Sequence, residues 1–428
     1  MAKELGVAPA FAIWIIAFYP FTQGTFVLMG ERVGAVYGHK KTAAAGGILW
    51  VIFHLISGFM RSITSLSIMR ALSGVGAAFV FPNAVALLTI TNPPGKARNI
   101  SVGLFGAMAP IGAAGGSVFP ALFGQLTQWW WLFFFLALLG SVIFGLFIII
   151  VPGEPTPMDP LGKVDYIGAY LGVSGLIVFN FVWTQSALVG WSVPYIYALL
   201  IASILHVAGF VIWEVRYAAE PIMPMDIWGS PSFSMMIVSS FVSFMGFGML
   251  IWYLTAWQAE LRGYTMLLNA ATYAPLAVGG AGAALLSAKV VRHLAAQYIL
   301  AIGSTATLVS LLLVAIMPVQ QTYWAQAFPA ILLGSLGPIS SSQRLNSSQV
   351  EQSGGINRGS QDLSLGRFYP TGLGFAGTVE HYTNNNGKDL ARGYRNGLYL
   401  GIGMAGVAIV LSLAFVRIPR DRREGWGE

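Results

Sequence analysis

The sequence predicts an all-α, polytopic membrane protein, and three observations support this prediction. Hydrophobic residues make up 56% of the 428 positions and charged residues only 9%, whereas soluble domains carry about 25% charged residues to keep their surfaces hydrated. Glycine is abundant, with 51 residues, as in helices that pack closely in lipid. Apolar stretches of about 20 residues, the length that crosses a bilayer, recur with short gaps between them.

Eleven apolar stretches are long enough to be full transmembrane helices. In chain order they are predicted at 8–29, 42–60, 65–91, 99–123, 129–151, 166–184, 195–213, 233–256, 267–288, 296–317 and 398–416. Two further pieces, 324–338 and 368–378, fall below spanning length.

A polar tract at 339–369 separates the two short pieces. It contains five charged residues and lacks the apolar periodicity of a helix, so it is either a long disordered loop or the product of a fault in the gene model. We favour the second interpretation and expect the tract not to be native to the fold, because lipid cannot solvate the backbone of a half-helix. The charged residues are Arg344, Glu351, Arg358, Asp362 and Arg367.

Positive charges concentrate in alternate gaps between the spans, which makes those gaps and the basic tail at 417–428 cytoplasmic by the positive-inside rule. The intervening gaps contain only Arg61 and Arg262. This orientation places the beginning of the first span outside, so we expect a preceding helix to be missing. The cytoplasmic residues are Arg32, Lys40, Lys41, Lys96, Arg98, Lys163, Arg216, Lys289 and Arg292.

Several other classes of protein are disfavoured. The chain has no cysteine, and its five histidines lack metal-ligand spacing, so we expect neither a metal nor a cofactor. No Walker A sequence is present, and the G-x-G-x-x-G at 401–406 lies inside an apolar span, where it serves helix packing. The net charge of +7 is attributed to cytoplasmic loops rather than to nucleic-acid binding. An integral membrane enzyme is the least favoured alternative.

A basic loop is predicted between the first two spans. Two glycines four residues apart precede a cationic cluster, which suits a tight turn anchored at the headgroups; positive-inside bias alone also produces such an anchor. The candidate residues of this loop motif are Arg32, Gly34, Gly38, His39, Lys40 and Lys41.

Arg70 is the strongest candidate for a functional charge inside a span. A guanidinium there costs several kcal/mol unless it faces a polar cavity or a partner, although an arginine near the interface can also extend its side chain to the headgroups. Gly74 and Gly76 follow on the same helix and indicate close packing beside it. We therefore predict a role for these three residues in proton coupling or gating.

Two weaker patterns complete the set of candidates. A cluster of glycines around a proline in one span predicts a kink and a smooth packing face; its residues are Gly106, Pro110, Gly112, Gly115 and Gly116. Buried polar and aromatic side chains are candidates for lining a cavity, although each alone is more often an interhelical hydrogen bond. They are Gln23, Asn83, Asn180, Trp183, Asn269 and Tyr273.

These motifs, in this order, resemble the major facilitator superfamily. The segment 32–41 is similar to its cytoplasmic loop motif, Arg70-x-x-x-Gly74-x-Gly76 to its fourth-helix motif, and 106–116 to a degenerate form of its antiporter motif. The segment 218–224 resembles one found before the ninth helix in the drug:proton antiporter group, which has fourteen spans. The likeness is closest to fungal aminotriazole-resistance and low-affinity ammonium transporters, over about 5–338 and 371–428.

The resemblance implies two pseudo-symmetric helical bundles around a cavity that opens alternately to each side. We expect an N-terminal bundle at 1–151 lacking its first helix, a central helix pair with cytoplasmic linkers at 152–231 and a C-terminal bundle at 232–416. It also implies that the arginine matching Arg70 takes part in proton coupling. Ala35 stands where the loop motif usually has an acidic residue, which weakens the expected charge relay.

The predicted function is proton-coupled efflux of a small organic compound, such as a drug, toxin or secondary metabolite, by a monomer in the lipid bilayer of the plasma membrane. Low-affinity ammonium uptake is an alternative. A remnant that does not transport is another, because the resemblance implies fourteen spans and the sequence contains eleven full ones and two fragments.

Overall fold

The computed structural model describes residues 13–92, 96–154, 156–223, 228–290, 294–337, 369–384 and 389–417. Within these ranges the chain forms the following helices, numbered in chain order. They are α1 (Ile13–Tyr37), α2 (His39–Phe59), α3 (Ile63–Thr91), α4 (Lys96–Leu126), α5 (Trp130–Ile150), α6 (Tyr166–Val189), α7 (Pro194–Arg216), α8 (Pro231–Ala256), α9 (Met266–Ala271), α10 (Ala274–Val290), α11 (Ala296–Ala315), α12 (Ala327–Gly334), α13 (Tyr369–Thr383) and α14 (Leu390–Phe415).

The all-α class predicted from the sequence is confirmed. Eight helices in the described residues are long and apolar enough to cross a membrane: α2, α3, α5, α6, α7, α8 with its π-helical continuation Trp257–Leu261, α11 and α14. Helix α1 has 25 residues and α4 has 31. Every stretch that we predicted as a span overlaps at least one helix of the structure.

The helices form two compact units. The first contains α1–α3 and α5–α7, and the second contains α4 and α8–α14. In the first unit α3 packs between α1 and α2, and α5 packs on α2. In the second unit α8, α11 and α14 pack together, and α4 packs on α9 and α10.

The helix boundaries follow the capping chemistry of the sequence. The Ser62 hydroxyl accepts the Ser65 N–H at the beginning of α3, and the Asp165 carboxylate accepts two N–H groups at the beginning of α6. The Asp389 carboxylate accepts the Arg392 N–H at the beginning of α14. Such caps satisfy N–H groups that have no partner inside the helix. The Asp389 cap begins α14 eight residues before the predicted span, so Arg392 and Arg395 belong to this helix.

The predicted loop between the first two spans is wrong in its extent. Helix α1 continues to Tyr37 and α2 begins at His39, so Gly38 alone joins them. Its φ angle of +106° lies in a region that residues with a side chain rarely adopt. Most of the basic motif therefore lies on helices.

The span predicted at 267–288 is also wrong as a single helix. The structure breaks it into α9 and α10, with a turn at Thr272 and Tyr273. Pro275 accounts for the break, because in a continuous helix it has no N–H to donate to the Ala271 carbonyl and its ring would clash with that carbonyl. Hydropathy alone does not register this interruption.

The two short apolar pieces form short helices. In the described residues α12 has 8 residues and α13 has 15. At 1.5 Å per residue both described lengths are shorter than the roughly 30 Å hydrocarbon layer. Of the polar tract predicted at 339–369, only Tyr369 is described, as the first residue of α13. Residues 339–368, the tail beyond Arg417 and the first twelve residues lie outside the described residues.

Candidate functional site

Arg32 connects helix α1 to two distant segments of the first unit. Its guanidinium forms an ion pair of 2.8 Å with Asp159 in the α5–α6 connection, and another with Glu220 after α7. Its Nε donates to the Lys163 carbonyl at 3.0 Å, and the Lys163 N–H donates to Glu220 at 2.6 Å. The acidic partners that the loop motif lacks at Ala35 are therefore supplied by the connections around α6 and α7.

A buried polar contact joins the motif to α3. The His39 Nδ1 lies 2.7 Å from the Asn83 Oδ1, and the Asn83 amide donates to the Gly30 carbonyl at 2.9 Å and to the Phe79 carbonyl at 2.7 Å. A side chain at Gly34 would place its Cβ 1.6 Å from the Asn83 Oδ1. Position 34 therefore requires glycine, because the Asn83 amide occupies the space that a side chain would need.

The rest of the basic motif lies at the same turn. The Lys40 backbone N–H lies 3.3 Å from a carboxylate oxygen of Glu154, which also lies beside Gly38. Lys41 is exposed. The motif therefore combines close packing, ion pairing and one exposed cation.

Arg70 lies on α3 against an aromatic cluster. Its guanidinium stacks over the Tyr19 ring at 4.7 Å, and its Nε donates to the Ile15 carbonyl at 3.3 Å. The Tyr19 ring also contacts His54, with the two ring centroids 6.5 Å apart. The His54 ring in turn lies 3.9 Å from the Trp50 ring, measured between centroids. His54 is only 1% exposed, so a buried titratable group and the arginine lie against the same Tyr19 ring.

The glycines that follow Arg70 allow three helices to meet. A Cβ at Gly74 would lie 2.3 Å from the Tyr19 carbonyl oxygen of α1, and a Cβ at Gly76 would lie 2.7 Å from the Gly46 carbonyl oxygen of α2. At the first of these contacts, the Thr22 hydroxyl donates to the Ala71 carbonyl at 2.6 Å. Because these two glycines lack side chains, α3 approaches α1 and α2 closely beside Arg70.

The antiporter-like motif lies entirely within α4. A Cβ added at Gly112 or Gly116 would meet no atom within 4 Å in the described part of the chain, and one at Gly115 would meet only the Phe119 ring. Gly106 and Pro110 belong to the same helix. Its role as a packing face for an export motion stays a prediction.

The amides and aromatics proposed to line a cavity lie in separate places. Asn83 is fully occupied with the contacts described above, and Asn180 is buried and donates to the Leu176 carbonyl at 2.9 Å. Gln23 is half-buried on α1, and Trp183 packs edge-on against Trp191.

In the second unit, the Asn269 amide donates to the Thr255 carbonyl, and the Tyr273 hydroxyl contacts the Thr255 hydroxyl at 2.6 Å. The last two residues join α8 to the break between α9 and α10.

Sequence reasoning missed two carboxylates in the second unit. The Tyr253 hydroxyl donates to Glu380 at 3.1 Å, and the Tyr394 hydroxyl donates to Glu260 at 2.7 Å. The two tyrosine rings are 5.6 Å apart, which joins both pairs into one cluster. Both glutamates lie just beyond the predicted ends of their spans, so a search within the spans passed them over.

A bundle of apolar helices that contains a half-buried arginine and a buried histidine within its spans is characteristic of a multi-pass membrane transporter. The family model of the Major Facilitator Superfamily matches residues 1–349, and the chain belongs to this family. It is not an enzyme family, in agreement with the prediction from sequence.

Fungal relatives support the predicted resemblance to aminotriazole-resistance and low-affinity ammonium transporters. The chain is 33% identical to the low affinity ammonium transporter of Saccharomyces cerevisiae, over 94% of this chain and 80% of that protein. It is also 33% identical to the aminotriazole resistance protein of the same yeast, over 93% and 76%. It is 32% identical to efflux pump terJ of Aspergillus terreus, over 94% and 79%. The predicted resemblance is confirmed.

A solved structure agrees on the fold. The crystal structure of a POT family transporter in complex with a thioalcohol-conjugated peptide has a TM-score of 0.63 at 16% identity, covering 96% of this chain and 87% of that chain. At this identity the likeness concerns the fold alone.

Proposed function

We propose that the protein is a proton-coupled exporter of a small organic compound, acting as a monomer by alternating access in the plasma membrane. The observation that carries the proposal is that Arg70 and the buried His54 both lie against the Tyr19 ring. A transporter driven by protons needs a group that changes charge in the membrane and a neighbour that responds to the change. Relatives named as an efflux pump and an aminotriazole resistance protein support the direction of transport.

The hydrogen bonding of His54 supports one of its nitrogen atoms as the site of proton uptake. Its Nδ1 lies 2.9 Å from the Trp50 carbonyl oxygen. A carbonyl only accepts hydrogen bonds, so Nδ1 carries the hydrogen and Nε2 is left to take up the proton. Arginine stays charged at all physiological pH values. Proton uptake would place two positive charges near the Tyr19 ring.

This repulsion links protonation to conformation. With His54 neutral, the guanidinium rests on the Tyr19 ring and the Ile15 carbonyl. With His54 protonated, a state in which α2 and α3 separate the two charges becomes more favourable, because like charges repel strongly where water is scarce. The two charge states of His54 therefore favour different conformations, as alternating access requires.

Arg70 substitutions test the proposal. In cells expressing the full chain, an imposed pH gradient should drive efflux of radiolabelled aminotriazole. We expect Arg70→Ala and Arg70→Lys both to abolish this efflux. The lysine variant should fail because an ammonium cannot reproduce a planar stack and a directed hydrogen bond together. Surface expression should be retained. Arg61→Ala is the matched control, since Arg61 also stacks on an aromatic ring, Trp130, at 4.4 Å but is exposed. Normal gradient-driven efflux by Arg70→Ala would contradict the proposal.

Low-affinity uptake of ammonium is the second candidate, on the strength of the yeast relative of that name. The two candidates predict opposite directions for the substrate. Accumulation of radiolabelled methylammonium by expressing cells, with no export of aminotriazole, would favour uptake. Export of aminotriazole without accumulation of methylammonium would favour the first candidate.

A further inference from the structure

A cavity of about 250 Å³ lies in the first unit, between α1, α3 and α6. Its wall is apolar except for two hydroxyl-bearing residues. The lining residues are Trp14, Phe18, Ile63, Thr64, Ser67, Ile68 and Phe181. None of them was among the candidate residues identified in the sequence.

Three aromatic rings form one side of this cavity. Trp14 stacks on Phe18 at 4.8 Å with an interplanar angle of 29°, and on Phe181 at 5.1 Å with an angle of 25°. The rings are thus nearly parallel across α1 and α6. The three rings already stack on one another, so a flat ring in the cavity would extend this stack at Phe18 or Phe181, because stacked and offset rings attract beyond the effect of their buried area.

Ser67 supplies a polar group in this apolar setting. It is 4% exposed, and its hydroxyl has no hydrogen-bond partner among the described residues. Other serines of the unit do not behave in this way: Ser57 donates to the Phe53 carbonyl and Ser73 to the Arg70 carbonyl, each within its own helix. A buried hydroxyl without a partner is costly, so Ser67 favours an occupant that carries a hydrogen-bonding group.

The cavity adjoins the candidate coupling site. Ser67 precedes Arg70 by three residues on α3, which places the two on neighbouring positions of one helix face. Trp14 and Phe18 flank Ile15 and Tyr19, the residues that Arg70 contacts. A molecule in the cavity would therefore lie about one helical turn from the guanidinium.

We propose that this cavity binds a small flat ring compound with a single hydroxyl, which the Ser67 hydroxyl engages. The proposal deepens the proposed transport function, on which it rests for its biological meaning, by naming the substrate class. A lipid acyl chain would fit the apolar wall, but it has no polar atom for Ser67 and gains little from stacked rings. The aromatic walls and the hydroxyl together favour the ring compound.

Equilibrium binding to the purified full chain tests the proposal without any gradient, so its outcome is independent of proton coupling. Radiolabelled 1-naphthol is the probe, and unlabelled 1-naphthol, naphthalene and n-decanol are competitors. On the unsubstituted protein, we expect naphthalene to compete about fivefold more weakly than 1-naphthol, since it lacks the hydrogen bond. Decanol, which has a hydroxyl but no ring, should compete more weakly still.

Ser67→Ala should abolish the preference for 1-naphthol over naphthalene while leaving naphthalene competition unchanged. Ser57→Ala is the matched control, because it removes a buried hydroxyl that is satisfied within its own helix, and the preference should persist. Three results would overturn the proposal: absence of 1-naphthol binding, a preference that survives Ser67→Ala, or decanol competing as well as 1-naphthol. The last would identify the cavity as an acyl-chain site. Loss of gradient-driven efflux in Arg70→Ala with intact 1-naphthol binding would leave both proposals standing.

Discussion

At the scale of single residues, the motif positions owe their identity to immediate neighbours. Gly34 leaves the space in which the Asn83 amide meets His39, and Gly74 and Gly76 let α3 touch α1 and α2. Gly112, by contrast, faces open space in the described part of the chain. Glycines that look alike in the sequence therefore differ in what a side chain would cost.

Gly34→Ala and Gly112→Ala form a matched pair that tests this difference. The first should lower the free energy of unfolding by about 1–3 kcal/mol, because the new methyl group overlaps the Asn83 amide. The second should leave stability unchanged or raise it by up to about 1 kcal/mol, since alanine favours helix more than glycine does. Thermal unfolding in detergent measures both.

A double variant tests whether Gly34→Ala is destabilising because of its overlap with Asn83 or because of a general effect on helix α1. Adding Asn83→Ala to Gly34→Ala removes the overlapping amide, so the double variant should lose less stability than the sum of the two single variants. Equal destabilisation by Gly34→Ala and Gly112→Ala would refute the steric account.

At the scale of elements, ion pairs hold the connections around α6 and α7 against the end of α1. Arg32 is 19% exposed, and its partners Asp159 and Glu220 are 44% and 39% exposed. Exposed pairs contribute little, about 0–1 kcal/mol each, but here two carboxylates and a backbone carbonyl share one guanidinium. Through this network, connections far from α1 in the sequence supply carboxylates to a loop motif that has alanine at position 35.

Arg32→Gln should release the α5–α6 connection at 151–165 without unfolding the helices. In inside-out vesicles, we expect limited proteolysis to cut this connection several-fold faster than in the unsubstituted protein, because cleavage follows local opening. Lys41→Gln, at an exposed cation of the same turn, serves as the control and should not change the rate. Equal rates for Arg32→Gln and the unsubstituted protein would show that the ion pairs do not restrain the connection.

At the scale of the whole molecule, the charges of the connections predict the orientation in the membrane. Because the chain contains no cysteine, single cysteines can be introduced without background labelling. Lys41→Cys and Arg420→Cys should be protected in intact cells from a thiol reagent that does not cross membranes, and should react after permeabilisation. Arg61→Cys should react in intact cells. Labelling of Lys41→Cys from outside would reverse the orientation.

The sequence by itself determined the class of protein, the approximate place of nearly every helix and the family. Hydrophobic length and sparse charge decide these, because the bilayer allows only segments that satisfy their own backbone. The motifs around Arg32, Arg70 and Gly106 could also be found in the sequence, because each is a local pattern with short spacing. Pro275 interrupts one span, and its effect on hydropathy is too small to reveal the break.

Only the tertiary structure decided which distant residues meet. Arg32 and Glu220 are 188 positions apart, and Tyr253 and Glu380 are 127 positions apart. His54 gave no signal of its own as a lone histidine, and Ser67 was one of many small residues in an apolar helix. Their significance comes from what surrounds them: an aromatic cluster beside Arg70 for one and a cavity for the other. Such surroundings arise from helix packing, which a one-dimensional pattern of polarity does not contain.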